Sequence, residues 1–195
     1  MRNSARTQVA RRAAEMMYFD GVKEYLRAKR KAARELGLEV FPNNVEIRSE
    51  LDLLADEQEG PARLQRLQAL RRRALELMEA LEGFSPRLIG SVLSGQIRKS
   101  SDIDLHTFAY RHQDVGVRLA EAGFDAALEI VQVRKGGEDR DFPHYYVELP
   151  EAVADVSVLS PHELRRPQKS SITHRTMDRA TPGRVRKLLE RTAQE

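Results

Sequence analysis

Residues 87–109, RLIGSVLSGQIRKSSDIDLHTFA, restrict the fold of this chain more than any other stretch. The run reads as an apolar strand over 87–93, a polar basic turn over 94–101 and a second strand over 102–109. Strand side chains alternate between faces, so Asp102 and Asp104 share one face while Ile103 and Leu105 turn into a core. Two carboxylates that close repel each other unless a cation lies between them. A divalent ion with oxygen ligands answers that need, and Mg²⁺ typically combines one or two carboxylates with substrate phosphates. Gly90-Ser91 interrupts the first strand. Glycine lets backbone approach a ligand closely, and a serine hydroxyl can hydrogen-bond a phosphate oxygen. Arg98 and Lys99 lie in the connecting turn; a short helix opening that turn would direct its first amides at an anion. Taken singly these signals are weak: an Asp-x-Asp is usually a solvated strand edge, and a Gly-Ser in a strand usually a bulge or packing contact.

Together, apolar-Gly-Ser, ten residues, then Asp-apolar-Asp-apolar resembles the signature of the DNA polymerase beta-like nucleotidyltransferase superfamily. The match runs over Ile89, Gly90, Ser91, Asp102, Ile103, Asp104 and Leu105. The resemblance implies an α+β fold, a mixed sheet with helices on one face. It also implies that Gly90 and Ser91 hold a triphosphate, with Arg98 or Lys99 assisting, and that Asp102 and Asp104 hold two Mg²⁺ (or Mn²⁺) ions. A third acid is then expected on a downstream strand. Asp155 is the best candidate, because it interrupts the small apolar strand 153–159 and shares a face with Ser157. Its alternative role is an edge-strand acid that guards against aggregation. Glu148 and Asp141 stand in reserve. His106 falls on the face of the Asp pair and would touch a phosphate, a metal-bound water or Asp104, or only pack; His144 is given no face.

The implied chemistry moves a nucleoside monophosphate from a nucleoside triphosphate, ATP among them, to an acceptor hydroxyl, releasing pyrophosphate. One ion, shared with Asp155, would activate the hydroxyl, and Asp155 would be placed to take its proton. The acceptor stays open among a small molecule, a protein side chain and RNA. Two other readings remain: a catalytically silent nucleotide-binding module of the same fold, and a basic RNA-binding protein.

Composition narrows the setting. The chain has 195 residues, no cysteine and no tryptophan, which excludes disulfides and thiolate zinc sites. No run of about 18 apolar residues predicts a membrane span, and the charged N-terminus does not read as a secretory signal. The expectation is a cytoplasmic protein with no membrane partner and an undefined oligomeric state. Net charge is only +3, yet residues 23–34 and 165–187 are locally basic. Such stripes are either solvated helix faces or phosphate-binding surfaces.

Along the chain, apolar spacing predicts one long helix or two joined ones over 3–36, with a kink at Asp20-Gly21 and a stop at Gly37. A short helix is expected over 45–55, capped by Asn43 or Asn44, and a third from Pro61 to a stop at Gly83. Beyond the Asp pair come a helix over 112–122, strands over 126–134, 142–149 and 153–159, and a last helix after Thr181-Pro182. A glycine turn at 136–137 joins the first two of these strands. The loop 165–179, with Arg165, Arg166, Lys169, Ser170, Ser171 and Thr173, would either close over an anionic ligand or remain a solvated tail. The expected organisation is an N-terminal helical extension (1–60), a catalytic domain (61–160) and a basic segment packed on it (161–195).

Overall fold

The computed structural model describes residues 2–135, 138–169 and 176–192. The glycine turn 136–137 and Ser170, Ser171 and Thr173 lie outside these residues. The chain divides into two compact units, one built on Met1–Leu64 and Lys169–Arg175 and the other on Gln65–Gln168 and Thr176–Glu195.

In the first unit, α1 (Arg2–Phe19) and α2 (Tyr25–Leu36) are separate helices, divided around Gly21, whose φ of 68° an L-residue rarely adopts. Gly37 ends α2 in the left-handed conformation and donates its N–H to Ala33 and Arg34. The helix α3 (Asn44–Glu59) starts with a capping box. Asn43 accepts from the Glu46 amide at 2.9 Å, and Glu46 accepts from the Asn43 amide at 2.6 Å. Alanines dominate the buried stripe, with Ala10, Ala13 and Ala14 of α1 meeting Ala28, Ala32 and Ala33 of α2 around Met16, Ile47 and Leu51. Ion pairs tie the helices at the rim: Arg6 to Glu46, Arg11 to Glu57 and Arg12 to Glu35. Replacing Asn43 by alanine removes one cap hydrogen bond and frees its partner. An expected loss of about 1 kcal/mol should appear in urea unfolding monitored by helical circular dichroism.

The second unit is α+β. It begins within α4 (Pro61–Ala80) and contains α5 (Gly90–Ser94), α6 (His112–Glu121), α7 (Pro182–Thr192) and a five-stranded mixed sheet. The strands are β1 (Arg87–Leu88), β2 (Ile103–Phe108), β3 (Ala126–Lys135), β4 (Glu138–Glu148) and β5 (Val153–Leu159), in spatial order β1-β2-β5-β4-β3. Only the β2–β5 pair is parallel. Ile103, Leu105, Ala154, Val156, Tyr145 and Val147 turn to one face, where they share a core with Leu70, Leu77 and Met78 of α4 and Val115 and Leu119 of α6. Asp104, His106, Asp155 and Ser157 therefore lie on the opposite face. Among the described residues, no helix is long and apolar enough to cross a membrane.

One element departs from the sequence reading. The expected strand 87–93 is extended only over Arg87–Leu88, and Gly90 and Ser91 open the helix α5 instead. Gly90 has a φ of 69°, which turns the chain out of the sheet. Val92 and Leu93, apolar enough to suit either structure, are then buried from the helix. Arg71 fixes the result: its buried guanidinium donates to the Val92 and Leu93 carbonyls at 3.1 and 3.2 Å, satisfying groups at the helix end.

Candidate active site

The parallel register brings Asp104 directly opposite Asp155 and His106 opposite Ser157. Those two acids lie 51 residues apart in the chain (155 − 104) and meet only because β5 inserts beside β2. Asp102 just precedes β2 and is exposed. Burial, then the charges of Asp155 and Asp102, push the Asp104 carboxyl up to about 6. Burial and the Asp155 charge also raise Asp102. Asp102 and Asp104 thus feel the negative charge of Asp155 across the strand pair.

Gly90 closes one side of it. A Cβ at this position would overlap Asp104 Oδ2, so only glycine leaves room for the carboxylate. The close approach that the sequence suggested toward a ligand is thus made toward Asp104 itself. The backbone reinforces this contact, with the Ile89 amide donating to the Asp104 carbonyl at 3.0 Å. Ser91 follows in α5, half-buried, and its carbonyl accepts from the Gly95 amide at 2.9 Å and from Ser94 Oγ at 3.3 Å. Arg98 and Lys99 lie in the turn after α5, where Arg98 and Ser101 hydrogen-bond each other. Neither cation is among the charges that shift Asp102 or Asp104.

Three residues around the site were not singled out for these roles by the sequence. His144 of β4 faces Ser157 across the sheet, and its Nδ1 lies 2.7 Å from Asp155 Oδ1 and 3.2 Å from Ser157 Oγ. Both partners use the same ring nitrogen, so this is no serine–histidine–aspartate relay, which needs opposite nitrogens. Tyr146, opposite Asp155, lies nearly parallel to the His144 ring, 6.2 Å between centroids. Arg179 stacks over Phe108 at the end of β2 and donates to the carbonyls of Glu163, Leu164 and Arg166, tying down the turn after β5. Of the reserve acids, Asp141 falls on the core-side parity of β4, whereas Glu148 lies on the site face opposite Val153, two residues along β4 from Tyr146.

His106 is buried, and its Nδ1 has no hydrogen-bond partner among the described residues. Burial first, then Arg179, lower its pKa to about 4, so the ring is neutral at ordinary pH. His144 moves the other way, raised chiefly by its hydrogen bond to Asp155 against the opposing effect of burial. A raised histidine contributes stability that is complete below its unfolded value near 6.5 and lost as pH rises through the folded value. In EDTA, the stability advantage of wild type over His144→Gln should therefore be larger at about pH 6 than at about pH 9. Urea midpoints at the two pH values check this; equal advantages would remove the charged pair from the account.

The donor chemistry suits a hard divalent cation, since Asp102, Asp104 and Asp155 offer only oxygen and repel one another without it. Among the described residues no three acids or histidines are gathered closely enough to hold a metal ion; Asp155 is engaged by His144 instead. Compared with known proteins, the chain matches no family model and no curated relative.

Proposed function

We propose that this chain is a metal-dependent nucleotidyltransferase with a polymerase beta-like core, passing a nucleoside monophosphate from a nucleoside triphosphate to an acceptor hydroxyl. One observation carries the reading: Asp104 and Asp155 on adjacent parallel strands, with Gly90, the residue before Ser91, packed against the Asp104 carboxylate. The resemblance of the Gly-Ser and Asp-x-Asp pattern to that superfamily supports it. Asp102, Asp104 and Asp155 are the residues that would hold Mg²⁺, which when bound neutralises phosphate charge and makes a hydroxyl more acidic.

The chain's own groups have distinct tasks. The Ser91 hydroxyl donates to a phosphate oxygen, and the glycine before it leaves room for the Asp104 carboxylate. Asp155, directed by His144, accepts the proton of the acceptor hydroxyl. That oxygen forms a bond to the α-phosphorus, the bond from the α-phosphorus to the bridging oxygen breaks, and pyrophosphate leaves with the electron pair. His106 remains neutral and adds no charge beside the acids.

A second reading, a nucleotide-binding module without catalysis, is favoured by the engagement of Asp155 with His144. Incubation with each α-phosphate-radiolabelled nucleoside triphosphate and Mg²⁺ or Mn²⁺ separates the two. Acceptors are total RNA, a cell extract and the protein itself. Transfer by wild type and not by Asp104→Asn supports the enzyme. Nucleotide binding without transfer supports the module, and no nucleotide binding refutes both.

A further inference from the structure

Arg6, Arg11 and Arg12 of α1 are committed to internal ion pairs, whereas the cations on one face of α2 are not. Arg27, Arg30, Lys31 and Arg34 are exposed and make no ion pair or side-chain hydrogen bond among the described residues. Their neighbours on the same helix are committed: Lys29 donates to the Pro42 carbonyl and Asn44 Oδ1, and Glu35 pairs with Arg12. The spacing i, i+3, i+4, i+7 puts the four cations on one stripe, spread over about 10 Å of helix axis at ~1.5 Å per residue. With Glu24 and Leu26 they line a shallow recess of about 460 Å³. Behind them, Ala28, Ala32 and Ala33 are buried in the core of the first unit, so packing already fixes the stripe outward.

We propose that this face of α2 binds the phosphodiester backbone of a nucleic acid. Four cations in a row, with one carboxylate among them, complement a line of repeated phosphates better than a single phosphate group, which calls for convergent donors. Arginine supplies three of the four, and its planar fork suits phosphate oxygens. A lipid surface is the poorer match. A helix lying in a bilayer interface presents a broad apolar face, and the recess offers only Leu26 while the alanine stripe is used internally. The site depends on α2 alone and stands whether or not the chain transfers nucleotides.

The test is fluorescence anisotropy of the full chain with labelled single-stranded RNA, duplex RNA and duplex DNA across a salt series. Neutralising all four cations (R27Q/R30Q/K31Q/R34Q) should weaken binding at least tenfold at about 100 mM salt and reduce the slope of log K against log salt by about 3. The charge-preserving R27K/R30K/R34K variant should bind within about threefold of wild type, and D104N should bind like wild type. Glutamine retains good helix propensity, and the pairs R27Q/K31Q and R30Q/R34Q give half the change in slope if the quadruple variant does not fold. An unchanged slope in the neutralised variants overturns the proposal. So does failure of wild type to bind any of the three nucleic acids at about 50 mM salt, or binding confined to phosphatidylserine-containing vesicles.

Discussion

Asp104→Asn is expected to abolish label transfer, with a loss of at least about a thousandfold, while making the metal-free protein more stable. The two effects share one cause. Burial and the charges of Asp155 and Asp102 raise Asp104 from 3.8 to about 6. The folded chain therefore keeps a proton that the unfolded chain has released, and stability falls as pH rises between about 4 and 6 before levelling off. Above that window the ionised carboxylate costs on the order of 2 to 3 kcal/mol, which the isosteric amide removes. In EDTA at about pH 8, the variant should melt several degrees above wild type, and at about pH 4 the gap should close. Mg²⁺ should raise the melting temperature of wild type and leave the variant nearly unmoved. A variant less stable than wild type at both pH values would mean that Asp104 is a structural acid, and the catalytic reading would lose its centre.

Gly90→Ala carries the second large effect. Alanine meets two penalties there, a left-handed backbone at φ 69° and a methyl overlapping Asp104 Oδ2. The first costs about 1 to 2 kcal/mol; the second is relieved only by moving the carboxylate. Transfer should fall at least a hundredfold and stability by about 2 kcal/mol or more. The diagnostic result is the coupling. In an Asp104→Ala background the overlap is gone, so Gly90→Ala should cost about 1 kcal/mol less than it does in wild type. Strict additivity in a double-mutant cycle would show that the glycine serves its turn alone.

What could be foreseen from the sequence was local. Gly37 as a helix stop and Asn43 or Asn44 as a cap follow from the local chemistry of those residue types, and the inward Ile103 and Leu105 from the strand period of two. Asp155 stood out because a charge broke an apolar strand. Three features depended on information that no local window holds. Ile89 to Leu93 is short and apolar, and such a run suits a strand or a buried helical turn equally well; tertiary packing, with Arg71 on the helix carbonyls, decides between them. The partnership of His144 with Asp155 depends on the register of β4 against β5, which a one-residue slip would reverse. Arg179 reaches the end of β2 from far downstream, and only the folded chain shows that contact.

The insertion of β5 between β2 and β4 also bears on how the protein is made. The β3–β4 hairpin can zip from its own turn, and β4–β5 across residues 149–152, but β2 and β5 must close a loop of about 50 residues, with an entropy cost that grows with the logarithm of its length. Until that closure β2 has β1 on one edge and nothing on the other, so the newly made chain passes through a stage with an open, aggregation-prone strand edge. Assembly of the acidic centre therefore coincides with the slowest contact to form, and chain collapse and acquisition of the site become separate events in time.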